Sequence, residues 1–149
     1  MKGQSTKIIS GFSSPLRYPG GKTRLANKLL EAMDKNFDPK EKIILVEPYA
    51  GGAGASLALL LAGKAERIVI NDLDKAIFTF WKIAVFDTDY LINKIRRTEV
   101  TIEEWKKQKK IYISTTNERE LAFATLFLNR TNRSGIMNGG PIGGIEQSG

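Results

Sequence analysis

The chain has 149 residues, a size that suits one ordinary domain, and 42% of them are hydrophobic, enough for a real core. Its formal charge of +7 favours anionic partners such as nucleic acid and says nothing about fold. Cysteine and histidine are both absent, which excludes disulfides, thiolate metal sites, serine–histidine triads and histidine bases.

No run reaches the roughly eighteen apolar residues of a membrane span, and the N-terminus lacks the apolar core of a secretory signal. The cytoplasm is the expected compartment. Residues 1–14 read as a loose polar arm, and Pro15 to Gly21 as a turn-rich segment. Thr23 to Met33 has helical spacing, with Leu25, Leu29 and Leu30 on one face. After a connector containing Pro39, Ile43 to Val46 reads as a short buried strand. A glycine-rich turn follows, and Ser56 to Ala62 reads as a helix with Leu57, Leu60 and Leu61 on a shared face, stopped by Gly63. Arg67 to Ile70 is a second strand, parallel to the first if the helix between them is a crossover.

From Asp74 to Asn129 the pattern is helical almost throughout, with breaks expected near 87–89 and 114–117. Phe78, Trp81 and Val85 stand at helical spacing and read as core. Residues 91–133 hold ten Lys or Arg against five Asp or Glu, with Lys106, Lys107, Lys109 and Lys110 clustered. Such a cluster is a solvated helix face or a phosphate contact. The closing run Ser134 to Gly144 is too rich in glycine for a helix interior and reads as a hairpin or loop.

The most informative stretch is Leu45-Val46-Glu47-Pro48-Tyr49-Ala50-Gly51-Gly52-Ala53-Gly54, a strand that ends on a carboxylate and breaks into glycines. A glycine turn lets a nucleoside ligand lie against the backbone. The second strand ends in Asn71-Asp72, where a carboxylate is well placed for ribose hydroxyls. Three ligand classes compete. A P-loop, suggested by Gly21-Lys22-Thr23, fails because Leu16 stands where its first glycine belongs and no strand precedes it. A dinucleotide fold, suggested by Gly52-Ala53-Gly54, has Leu57 at its third glycine position. S-adenosylmethionine gives Glu47 a purpose, because that ligand carries a sulfonium and an ammonium; the alternative is a capping role for Glu47.

Four segments together resemble the Dam-type DNA adenine methyltransferases. Pro15-Leu16-Arg17-Tyr18-Pro19-Gly20-Gly21-Lys22 is similar to their N-terminal cofactor motif, and Glu47 to Ser56 to their methyl-donor loop. Asn71-Asp72-Leu73-Asp74 resembles their second acidic loop, and Leu128 to Gly135 the entry to their DNA-reading hairpin. The resemblance implies an α/β architecture: the N-terminal part of a Rossmann-like methyltransferase fold with an inserted, mainly helical DNA-recognition region. Residues 15–86 would be the partial cofactor domain and 87–149 the start of the recognition region. The implied S-adenosylmethionine contacts are Tyr18, Gly21, Lys22, Glu47, Pro48, Tyr49, Gly52, Gly54, Ser56 and Asp72. The implied contacts with double-stranded DNA are Asn129, Arg130, Arg133, Ile136 and Asn138.

The catalytic Asp-Pro-Pro-Tyr motif of that family does not occur, since no two prolines are adjacent. In the family it follows the DNA-reading region. The expectation is therefore an N-terminal fragment of a restriction-modification type adenine methyltransferase, inactive alone, with no catalytic residue and no metal site of its own. Its exposed sheet edge is expected to drive self-association. The rivals are an NAD-dependent oxidoreductase fragment and a non-catalytic DNA-binding remnant.

Overall fold

The computed structural model describes residues 14–18, 25–38 and 40–147. It forms two compact units. The first contains α1 (Ala26–Asn36), β1 (Ile44–Glu47), α2 (Gly54–Leu61) and β2 (Arg67–Ile70). The strands pair in parallel, with Ile44 opposite Arg67 and Glu47 opposite Ile70. A parallel pair needs a crossover, and α2 supplies it. Gly63 ends α2 as its position suggests: it adopts φ +68°, its N–H donates to the Leu60 carbonyl, and the Lys64 N–H donates to that of Leu59. Only glycine enters this left-handed closure without steric cost.

The faces chosen by leucine spacing need correction. In α2 the buried apolar side chains are Ala55, Ala58 and Leu59, whereas Leu61 is exposed and Leu57 and Leu60 are half-buried. In α1, Ala26 and Leu30 are buried, but Leu25 and Leu29 are exposed. Ala26, Ala55 and Ala58 form one cluster. Small side chains let two helices approach closely, so alanine rather than leucine marks this interface. On the sheet, Val46 (61% exposed), Ile44 (47%) and Val69 (46%) alternate onto one face and are exposed.

The second unit contains α3 (Lys75–Phe86), α4 (Thr88–Arg97), α5 (Ile102–Ser114) and α6 (Glu118–Thr131). Leu16, Arg17 and Tyr18 belong to it as well. The structure divides into these units after Asn71, and α3 packs on α6 within the second. The breaks at Asp87 and Thr115–Asn117 occur as expected, and a further one falls between Arg97 and Ile102. Side chains start three of the helices. Asp74 accepts from the Ala76 N–H (2.8 Å), Thr101 from Glu104 (3.1 Å) and Asn117 from Glu120 (3.2 Å).

Helix α6 is the centre of this unit and packs on α3, α4 and α5. Its Ala122, Ala124, Thr125 and Leu128 are wholly buried. In α3 the buried face is Ile77, Phe80, Trp81 and Ile83, with Phe80 and Trp81 edge-to-face at 5.0 Å. Trp81 is core, as its spacing suggests, but Phe78 and Val85 are exposed. This helix is apolar nearly all round, so periodicity cannot select its inner face.

Candidate cofactor turn and nucleic-acid loop

The turn after β1 is held at both ends. The Asn71 N–H donates to the Glu47 carbonyl (3.0 Å), and the Ala50 N–H donates to the Asn71 carbonyl (2.9 Å). The chain then folds tightly, with the Ala53 N–H donating to the Ala50 carbonyl (2.6 Å). Gly51 and Ala53 both take left-handed φ values, 49° and 48°. For alanine that conformation is strained by about 1–2 kcal/mol, and such strain gathers where a turn is fixed by its surroundings. Ala53 is buried and immediately precedes α2, which has no side-chain cap. The first N–H groups of α2 therefore make an electropositive end.

Glu47 and Ser56 meet here. Both are buried, and the Ser56 hydroxyl donates to the Glu47 carboxylate. Glu47 thus braces the first turn of α2 against the strand end. Gly52 and Gly54 are buried in the same turn, while Pro48 and Tyr49 are exposed. Of the other residues expected at the cofactor, Gly21 and Lys22 lie outside the described residues. Asp72 follows Asn71 in the chain. Its carboxylate accepts from the Asp74 N–H (3.0 Å) in the turn that leads into α3.

The candidate nucleic-acid loop sits in the second unit and is clamped by two asparagines. Asn129 is 1% exposed. Its Oδ1 accepts from the Arg17 N–H (2.7 Å), and its Nδ2 donates to the carbonyls of Arg17 (2.7 Å) and Gly135 (3.1 Å). Asn132, equally buried, donates to the carbonyls of Ile136 (2.8 Å) and Met137 (3.2 Å) and accepts from the Trp105 indole (2.7 Å). The Lys109 ammonium also donates to the Met137 carbonyl (2.7 Å). Three successive carbonyls, 135 to 137, are thus tied to the side chains of Asn129, Asn132 and Lys109. The loop closes as a short hairpin: the Arg133 N–H donates to the Gly140 carbonyl and the Ile142 N–H to that of Thr131.

This anchoring sorts the expected DNA residues into two groups. Asn129 faces inward and its amide makes three hydrogen bonds to backbone groups, so in this arrangement it holds the loop instead of presenting itself to a ligand. Arg130, Arg133, Ile136 and Asn138 are exposed. Asn129 lies in the last turn of α6 and Asn132 is its extended C-cap; both side chains are buried. Tyr18 is half-exposed and directly follows the clamped Arg17. Asn132, Gly135 and Trp105 are the residues that sequence reasoning missed. The repeated Asn-Arg pairs at 129–130 and 132–133 were the available signal.

Comparisons with known proteins give the chain's family. The sequence profile of the D12 class N6 adenine-specific DNA methyltransferases matches residues 18–146. The chain is 23% identical over 133 residues to the type II methyltransferase M.MjaIII of Methanocaldococcus jannaschii, covering 81% of this chain and 46% of that protein. It is 30% identical over 107 residues to the modification methylase StsI of Streptococcus sanguinis, covering 72% of this chain and 14% of that protein. The chain therefore spans less than half the length of either relative. Among the described residues no helix is long and apolar enough to cross a membrane, and no cluster of acidic side chains could hold a metal. With its profile match running from Tyr18 to Glu146, the chain belongs to the D12 class N6 adenine-specific DNA methyltransferase family.

Proposed function

We propose that this chain carries the methyl-donor turn and the start of the DNA-reading region of an enzyme that methylates adenine in double-stranded DNA. The donor is S-adenosylmethionine, and the folding plan is Rossmann-like. The observation that carries this reading is the buried Glu47 at the end of β1, braced by Ser56 beside a strained glycine turn. Gly52 and Gly54 would let the methionine part of the donor approach the backbone. The Glu47 carboxylate suits its positive charges, and Asp72 suits its ribose. Tyr18 and Lys22 are further candidates for the adenosine and the carboxylate tail.

Transfer moves the methyl carbon from the sulfonium sulfur to the exocyclic nitrogen of adenine. It demands that the two reacting atoms stand in line. The base must leave the stack to get there. An exposed apolar residue such as Ile136 on a rigid loop suits the wedge that helps open a duplex. Arg130, Arg133 and Asn138 suit phosphate or base contacts beside it. The sequence contains no Asp-Pro-Pro-Tyr motif, so this chain by itself binds and does not transfer.

Titration calorimetry tests the ligand. S-adenosylmethionine and S-adenosylhomocysteine should both bind, and NAD should not. Glu47→Gln keeps an acceptor for Ser56 but removes the charge, and should weaken S-adenosylmethionine about tenfold or more, roughly the 1.4 kcal/mol expected of one lost charge contact. Binding of NAD alone would move the chain to the oxidoreductase reading. Salt-dependent DNA binding with no cofactor affinity would favour a non-catalytic DNA-binding module.

A further inference from the structure

The lysine cluster of α5 plays no part in the clamp except through Lys109. Trp105, Lys106, Lys109, Lys110 and Ile113 line a shallow hollow of about 410 Å³, with no acidic side chain among the described residues of its wall. Trp105 and Lys106 also line a second hollow of about 620 Å³, which contains Arg130 and Thr131 together with Glu103 and Glu146. The two hollows therefore run on from one another along α5. Lys106 and Lys110 are exposed and form no ion pair among the described residues, whereas Lys107 is paired with Glu104 at 3.4 Å. Lys109 reaches the Met137 carbonyl of the clamped loop, so the basic row begins where that loop ends.

The geometry points to a DNA backbone track. The α5 groove takes phosphates of the duplex that flanks the site engaged by the loop at Ile136–Asn138, with Lys106 and Lys110 as direct contacts and Arg130 at its far end. This rests on the proposed DNA substrate and goes beyond it, because nothing in the loop requires a second contact surface. The argument is charge and placement. Lysines one helical turn apart, about 6 Å along the axis, line an apolar floor that gives their stems something to lie on. Trp105 is locked by Asn132, so that floor is fixed before any ligand arrives. A phosphate contact carries no base information, so the track would position the duplex and leave reading to the loop.

The test measures DNA affinity of the full 149-residue chain across salt concentrations, by fluorescence anisotropy with a labelled duplex. Each phosphate neutralised contributes about −0.9 to the slope of log affinity against log salt. The double variant Lys106→Gln, Lys110→Gln should flatten that slope by about two and weaken binding at least tenfold near 0.1 M salt. The charge-matched control Lys35→Gln, Lys40→Gln, on exposed lysines of the first unit, should leave the slope unchanged. Equal behaviour of the two double variants would overturn the track while leaving DNA as substrate. A wild-type chain that does not bind DNA in a salt-dependent way would overturn both. If sedimentation shows that Lys106→Gln, Lys110→Gln abolishes self-association and leaves DNA affinity intact, the groove belongs to a second copy and the proposal fails.

Discussion

Replacing Gly135 by alanine should lower stability by about 2–5 kcal/mol, the sum of a left-handed penalty near 1–2 and an overpacking cost near 1–3. Gly135 has φ +71°, where a side chain is strained in any space. Here the space is also taken. A Cβ would stand 2.8 Å from both the Cβ and the carbonyl oxygen of Arg17, and 3.2 Å from the Asn129 amide nitrogen. Arg17 cannot retreat without breaking the two bonds that hold it to Asn129. For a chain of this size the loss corresponds to a fall in Tm of roughly 5–15 °C. Gly140→Ala is the internal control. Its Cβ would meet nothing within 4 Å, so the same substitution five residues on should be nearly neutral. Similar melting curves for the two variants would mean that Arg17 does not press on Gly135.

Asn129→Leu should cost about 3 kcal/mol or more, because it orphans three backbone groups at once. The Arg17 N–H and the carbonyls of Arg17 and Gly135 all lose their partner. Each orphaned group carries a desolvation penalty of about 1–3 kcal/mol where water cannot reach it. Total stability of a domain is only about 5–15 kcal/mol, so the effect should be plain in a denaturant titration. Arg130→Ala, one residue on and exposed, should shift stability by no more than about 0.5 kcal/mol. A small effect at Asn129 would show that the clamp is dispensable, and that the loop is held by Asn132 and Lys109 alone.

These two effects explain how much of the molecule could be read from its residues. The strand ends, the parallel pairing, the Gly63 stop and the helical second half were all legible, because each follows from local rules of spacing and turn chemistry. The break between α4 and α5 also has a local signal, since Thr101 followed three residues later by Glu104 is a capping pattern. Helix faces were not legible. In α2 and α3 apolar residues surround the axis, and only tertiary contact selects Ala55 and Ala58 over Leu57, or Ile77 over Phe78. The role of Asn129 was equally hidden. Its partner Arg17 is 112 residues away and is held through its backbone, so no side-chain pattern announces the pair. The glycine turn lies between these extremes. Gly51 and Gly52 marked it, but Ala53 shares its left-handed geometry without any sequence signal.

The same turn decides the functional reading. Amide hydrogen exchange of the chain, with and without saturating S-adenosylmethionine, tests it most directly, because it reports where the ligand acts. Slowed exchange at Gly51 to Leu57, where the buried turn enters α2, is the result expected. If S-adenosylmethionine leaves those amides unchanged while protecting others, or protects none, the turn after β1 is not the donor site.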